Sequence, residues 1–326
     1  RLASVPPHRW GYLCSMRILV LRGGPDRERS VSLSSGANVA AALREARHDV
    51  TEADAMPGDL SALDGPATEA VFPVLHGRWG EGGPLQDELE RRGLRYVGCG
   101  PESARRCMDK AQAKRAFDAG GLPTPPWRVV SSDQPTPADL PPPVVVKALD
   151  EGSSFATVIC RDADAVEAAR AELADYDRLL VERFVAGREL TVSVVAGRVA
   201  GRTDEGPLAL PTIEIVPPPG PASEGFYDFH AKYESEATAY RFDIDLPRDT
   251  LDAVERLAVA AYTRLGVRHI GRVDFMIDAD ARPWLLEINT MPGFTSHSLL
   301  PMAARRAGIE LPTLCDRLAR LAASGR

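Results

Sequence analysis

Short apolar runs alternate with amphipathic stretches over the first hundred residues. "RILVL" (17–21) is a continuous apolar run, and a Gly-Gly turn follows it. "SVSLSSGANVAAALREA" (30–46) then spaces Leu33, Ala37, Ala40, Ala41 and Leu43 for one helical face. "AVFPVLHG" (70–77) predicts a second buried strand, "PLQDELERRG" (84–93) a helix stopped by Gly93, and "LRYVGCG" (94–100) a third strand. Strands alternating with helices predict a doubly wound α/β domain with a parallel sheet.

Further on, the pattern changes to paired strands. "VVVKALDEGSSFATVIC" (144–160) reads as strand, Gly/Ser tip and strand, an antiparallel hairpin. The proline-rich stretch 134–143 is short and leads straight into it, so it is not an interdomain linker. "DADAVEAARAELA" (162–174) predicts a helix, with Asp164 as N-cap and Glu167 completing a capping box. "RLLVERFV" (178–185) and "ELTVSVVAGRV" (189–199) predict two more strands. Residues 217–237 have no period and predict a long loop of the functional kind. "DTLDAVERLAVAAYTRLG" (249–266) is an amphipathic helix closed by Gly266. Two β-type runs then flank the turn-like "DADARP" (278–283), and a final helical region follows.

A chain of 326 residues exceeds one small core and predicts two or three domains. Its 44% hydrophobic and 26% charged content is that of a soluble globular protein. The net charge of −7 leaves no basic footprint, which argues against a nucleic-acid partner. Five scattered cysteines without a C-x-x-C predict reduced thiols and a cytoplasmic setting. No apolar run approaches the ~18 residues of a membrane span. Residues 1–15 lack the apolar centre of a signal peptide and are read as a disordered extension, with the fold starting at Met16.

The chemistry is concentrated in two places. Side chains two apart on a strand share a face, so Arg272 goes with Asp274, and Glu287 with Asn289. If those strands pair, Asp274, Glu287 and Asn289 present converging oxygens, a set suited to Mg²⁺ or Mn²⁺. A solvated sheet face, or a salt bridge from Arg272, fits the same pattern. The second place is "EGSSFAT" (151–157), which follows Lys147. Its amides and hydroxyls could cradle phosphates beside the lysine charge, although a plain hairpin turn has the same composition. There is neither a P-loop nor a G-x-G-x-x-G dinucleotide motif. A phosphate loop, a lysine and an oxygen cluster in one chain point to nucleotide–metal binding.

From Met16 to about Ala322 the chain resembles the D-alanine–D-alanine ligases of the ATP-grasp superfamily. The matching stretches include "GGPDRERSVSLSSG", "LHGRWGEGGPLQ", "MDKAQAK", "VVVKALDEGSS", "VERFVAGRELTV", "FYDFHAKY", "GRVDFMID" and "EINTMPGFTSHSLLPMAA". The resemblance implies an α/β N-terminal domain (16–106), a central domain (107–188) and a C-terminal domain (189–326), the last two sandwiching ATP. Lys110, Lys147, Ser153, Ser154 and Lys232 would bind ATP. Glu182 and the backbone from Arg183 through Phe184 to Val185 would read adenine, and Glu189 the ribose. Phe184, Met276 and Leu286 would wall the base. Asp274, Glu287 and Asn289 would hold two Mg²⁺ or Mn²⁺ ions.

By the same resemblance Glu28 would take the first D-alanine's ammonium, with His76 near its carboxylate. Read alone, Glu28 is a surface charge and His76 a loop histidine. Ser298 and the Leu299 backbone would hold the second D-alanine's carboxylate, a role compatible with Ser298 as an N-cap. Arg272 and the Gly293 N–H would stabilise the oxyanion. Tyr233 would join Ser153 and Glu28 in closing a lid, and argues for a D-amino acid acceptor. The implied enzyme is a cytoplasmic homodimer supplying peptidoglycan precursors; a D-alanine–D-X ligase is the alternative. The chain departs from the family at Ala148, at Ala156, which replaces a glycine, and at Gly82, where aspartate is usual.

Overall fold

β1 (Arg17–Gly23) lies between β2 (Asp49–Ala55) and β3 (Ala70–Pro73), with all three strands parallel. The computed structural model describes residues 14–65, 67–131, 137–152, 155–202, 206–217 and 238–325. β1 is central and its interior positions are almost wholly apolar, as a strand covered on both faces requires. β2, "DVTEADA", is a strand that the hydrophobic pattern alone does not predict. It is an outer strand with three acids, Asp49, Glu52 and Asp54, in seven residues, so it lacks an apolar signature. The predicted strand 94–100 is reduced to a single parallel bridge between Tyr96 and Val71. Helix α1 (Arg29–Glu45) packs on β1, and the short α2 (Gly77–Gly80) and α3 (Pro84–Arg91) follow β3.

After α4 (Pro101–Met108) and α5 (Lys110–Ala119) comes an antiparallel sheet built from β4 (Trp127–Ser131), β5 (Val144–Ala148), β6 (Thr157–Cys160) and β7 (Arg178–Arg183), in the order β4-β7-β5-β6. Helix α6 (Ala163–Glu172) covers it. The cap of α6 is Asp162, which accepts from the Ala165 N–H at 2.8 Å, and not Asp164. The helix starts two residues earlier than the capping-box spacing implies, and Glu167 pairs with Arg170 instead.

The third sheet holds β8 (Arg188–Ala196), β9 (Pro207–Ala209), β10 (Ile213–Val216), β11 (Ala239–Arg241), β12 (Ile270–Ile277) and β13 (Pro283–Asn289). Leu190, Val192, Val194, Val273, Phe275 and Leu285 face helix α7 (Arg248–Arg264) and form one core. At one end, the opposite face packs on α8 (Leu299–Arg306), α9 (Leu311–Ala323) and α1. The remainder of that face carries polar side chains, among them Thr191, Ser193 and Asp274, which are buried. Four cysteines, 99, 107, 160 and 315, are buried as free thiols, and Cys14 is exposed. Among the described residues, no helix is long and apolar enough to cross a membrane.

Candidate active site

Three surfaces meet at one place: the carboxyl ends of β1 and β3, the polar face of the third sheet, and the β5–β6 hairpin. Carboxyl ends of parallel strands are the usual ligand side of such sheets. The β12–β13 register sets Arg272 opposite Asn289 and Asp274 opposite Glu287, so all four share a face. An irregularity follows Asp274: Phe275 pairs with Leu285, leaving Leu286 as the extra residue of a bulge. Leu285 and Ile288 are both in the α7 core, so Leu286 and Glu287 lie together off that core face. Across β12, Glu189, Thr191 and Ser193 of β8 align with Met276, Asp274 and Arg272.

Arg272 grips Asp274 through two bonds, Nε to Oδ1 at 2.9 Å and Nη2 to Oδ2 at 2.8 Å. Thr191 donates to Asp274 Oδ1 at 2.6 Å. Asn289 Oδ1 accepts from the Met291 N–H at 2.9 Å. Glu287 makes no hydrogen bond or ion pair with another described residue. The Glu287 and Asp274 carboxylates and the Asn289 amide oxygen form an all-oxygen donor set, which fits a hard divalent cation. No cluster of three or more His, Cys, Asp or Glu exists among the described residues, so the amide oxygen is needed to complete such a set.

The first sheet contributes a buried cluster. Glu28 sits at the N-cap of α1, and a Cβ placed on Gly152 would stand 3.1 Å from its Oε2. The carboxylate therefore abuts the tip of the β5–β6 hairpin. His76 is buried, which pushes its pKa down, against the pull of Glu28's charge. Glu81 is also buried: its oxygens accept the Gly77 N–H at 3.3 Å and the Met291 N–H at 3.2 Å. Burial, reinforced by the charge of Glu28, pushes the Glu81 carboxyl well above its ordinary value. Arg272 acts electrostatically on both His76 and Glu81, which ties this cluster to the β12–β13 face. Gly82 is explained by the turn here, since a Cβ would fall 2.3 Å from the Arg78 carbonyl oxygen.

Glu182, on β7, is 1% exposed and held between two ammonium groups. Lys114 Nζ lies 2.6 Å from one oxygen, and Lys147 pairs with the other. Burial alone would raise this carboxyl, but the lysines outweigh it and hold it below the ordinary range. Lys114 also donates to Thr124, which donates to the Leu285 carbonyl at 2.8 Å, linking the second sheet to β13. Lys110 donates to the Glu151 carbonyl, and burial depresses its pKa. Of the three amides at the end of β7, Arg183 N–H and Phe184 N–H are committed to the carbonyls of Pro126 and Pro143. The Val185 N–H has no partner among the described residues. The Arg183 guanidinium lies 5.1 Å above the Trp284 ring, closing the outer side of the cleft between the two sheets.

Ser298 occupies the N-cap position of α8 without capping it; its Oγ accepts the Thr295 N–H at 3.0 Å. The first-turn amides of α8, beginning at Leu299, are left without a side-chain cap. Gly293 lies next to Ser298: a Cβ there would stand 2.6 Å from Ser298 Oγ. Ser153, Ser154, Lys232 and Tyr233 lie outside the described residues. The arrangement brings together Glu28, His76, Arg272, Asp274, Glu287 and Asn289, and it adds two residues to which the sequence reading gave no role, Lys114 and Glu81. Both stand within the stretches "MDKAQAK" and "GRWGEGG", and their burial is a tertiary fact.

A family model described as "D-ala D-ala ligase C-terminus" matches residues 117–320. A D-alanine–D-alanine ligase of Bordetella avium is 42% identical over 304 residues, covering 92% of each chain. The structure of the D-alanine–D-alanine ligase from Coxiella burnetii aligns with a TM-score of 0.80 at 25% identity, covering 95% of this chain and 94% of that one. A Bacillus anthracis D-alanine–D-alanine ligase complexed with ATP aligns at 0.79 with 29% identity, covering 95% and 97%.

Proposed function

The chain belongs to the D-alanine–D-alanine ligase family, an ATP-grasp family of enzymes, and from that premise we propose that it joins two D-alanine molecules at the expense of ATP. The observation that carries the reading is the convergence of Glu28 and His76 from the first sheet with Arg272, Asp274, Glu287 and Asn289 from the third. ATP occupies the cleft between the second and third sheets. Its adenine lies among Phe184, Met276 and Leu286, with the free Val185 N–H and the spare lone pairs of Glu182 on its edge. Glu189 takes the ribose, and Lys110 and Lys147 the phosphate end. Asp274, Glu287 and Asn289 hold Mg²⁺ or Mn²⁺, which neutralises phosphate charge when bound.

The first D-alanine sits with its ammonium on Glu28 and its carboxylate near His76. That carboxylate attacks the γ-phosphorus; the bond to ADP breaks, and a D-alanyl phosphate forms. The second D-alanine, anchored by its carboxylate at Ser298 and the Leu299 N–H, attacks the carbonyl through its amine. The tetrahedral oxyanion is met by Arg272 and the Gly293 N–H. The attacking neutral amine gives up one proton to the departing phosphate and keeps the N–H of the new amide, and the carbonyl re-forms as phosphate leaves. The acyl phosphate needs shelter from water, a task assigned to Tyr233 and Ser153 beside Glu28. Peptidoglycan precursor supply in the cytoplasm, by a homodimer, is the physiological counterpart.

The test is phosphate release from ATP and Mg²⁺, with and without D-alanine, and with D-lactate, D-serine or L-alanine added. Release that depends on D-alanine, with the dipeptide seen by mass spectrometry, is expected. Turnover only when a different acceptor accompanies D-alanine would replace the reading with a D-alanine–D-X ligase. ATP binding without any turnover would overturn it.

A further inference from the structure

Helix α1 has polar residues on its buried side that do nothing for the helix itself. Ser32 and Ser35 are both 0% exposed. With Glu28 they are spaced four and three residues apart, so they share one face. A buried serine in a helix commonly bonds back to its own preceding turn. Here, instead, each bonds the backbone of a loop at the active site. Ser32 Oγ accepts the Gly23 N–H at 2.8 Å and donates to the Val74 carbonyl, two residues before His76. Ser35 Oγ accepts the Phe294 N–H at 3.0 Å. One turn on, Asn38 Nδ2 donates to the Phe294 carbonyl at 3.1 Å.

Phe294 is thus held at both polar backbone groups by one helix. Its ring is 0% exposed and meets Phe72 edge-on at 5.5 Å between centroids. The residue before it, Gly293, sits between the hydroxyls of Ser298 and Ser35: a Cβ there would lie 2.6 Å from the first and 3.7 Å from the second. The peptide plane joining Gly293 to Phe294 therefore has little freedom to turn, and the Gly293 Cα, which carries the Gly293 N–H on its other side, is confined between the two hydroxyls. Seven residues of helix separate Glu28 from Ser35, a rigid span of about 10 Å.

We infer that Ser35 and Asn38 are positioning residues for the ligation, fixing the Gly293–Phe294 segment so that the Gly293 N–H is aimed at the oxyanion. The inference rests on the function proposed above. One rod then spaces the ammonium anchor of the first substrate, Glu28, from the oxyanion donor. Misaim of a donor is felt in the transition state and not in substrate binding, so the effect belongs to kcat.

Two measurements on Ser35→Ala, Asn38→Ala and the near-isosteric Asn38→Asp decide it. The first is steady-state kinetics. Each variant is expected to lower kcat roughly 10- to 100-fold, with KM for ATP and for D-alanine within about 2-fold of the wild type. Asn38→Asp keeps the shape but loses the donor, so it should fare no better than Asn38→Ala; if it restores wild-type kcat, Asn38 only fills space and the inference falls. The second is hydrogen exchange at the Phe294 amide, which needs no turnover. Protection is expected to fall at least about 10-fold in Ser35→Ala, the scale of one lost buried hydrogen bond. Unchanged protection, or variants with wild-type kcat, overturns the inference. A wild-type protein without turnover, whose Phe294 protection still collapses in Ser35→Ala, overturns the ligase reading while the anchoring stands.

Discussion

Arg272 shows how one side chain can be prepared before any substrate arrives. Its fork is locked on Asp274 by two bonds, so the guanidinium is already oriented. We expect Arg272→Ala to lower kcat at least ~10²-fold, the scale of a lost oxyanion donor, as read by phosphate release. Arg272→Lys should recover only part of it, because an ammonium cannot make the bidentate contact. Glu182 gives a second test. Glu182→Gln leaves Lys114 and Lys147 facing each other without their shared carboxylate, and breaking a buried pair costs ~3–5 kcal/mol in urea unfolding. The folded state holds this carboxyl below its ordinary 4.5, so ionisation favours folding above that pH and the advantage is lost as the pH falls beneath it. The gap between wild type and variant should therefore shrink on acidification below pH 4.5. A constant gap would mean that the cost lies in packing. The family resemblance makes Glu182 a candidate, whereas the sequence assigns its lysine partner at position 114 no role. Nothing local marks a lysine as buried when its carboxylate stands on a strand 68 positions away.

The β12–β13 hairpin is legible because side chains alternate with period two, which puts Arg272 with Asp274 on one strand and Glu287 with Asn289 on the other. What the alternation could not show is the bulge at Leu286, which lets an apolar residue and Glu287 share the site side. Deleting Leu286 restores a regular ladder: Leu285 stays in the core and Glu287 stays opposite Asp274. The hairpin should still form, by far-UV circular dichroism. The KM for ATP should rise roughly 10-fold or more, the equivalent of losing ~1.5–3 kcal/mol of apolar contact. An unchanged KM would remove Leu286 from the base pocket. Elsewhere the pattern was less informative. The outer strand β2 carries three acids in seven residues, so its sequence reads as loop. "RDADA" offers Asp162 and Asp164 at the start of α6, and only the backbone geometry chooses the first as cap. Ala156 sits at φ +51, a left-handed conformation that a glycine adopts without the ~1–2 kcal/mol cost, so the departure from glycine at this position strains the backbone.

Across the whole molecule, the loops of the first sheet touch the β5–β6 hairpin where Glu28 abuts Gly152 and, among the described residues, through two further contacts nearer the surface. Arg78 pairs with Asp150 at 3.0 Å, and the Arg27 guanidinium lies 5.4 Å from the Phe155 ring centre. Contacts of these kinds contribute about 1 kcal/mol or less each, so the hairpin is held lightly against the first sheet. The cores on either side are held far more firmly, and the cysteines sample them. Burial pushes the Cys99 thiol up to about 12 and Cys160 to about 11, and raises Cys107 and Cys315 as well. A thiol reagent needs the thiolate and access to it, so native protein should consume one equivalent quickly, at Cys14, and the other four only after unfolding. More than one fast thiol in Ellman titration would contradict this placement. The distribution has a practical use: a maleimide dye would mark one known position without mutagenesis. The delayed appearance of the remaining sulfurs would then time the opening of the separate cores, since Cys160 belongs to the second sheet and Cys315 to the packing of α9 on α1.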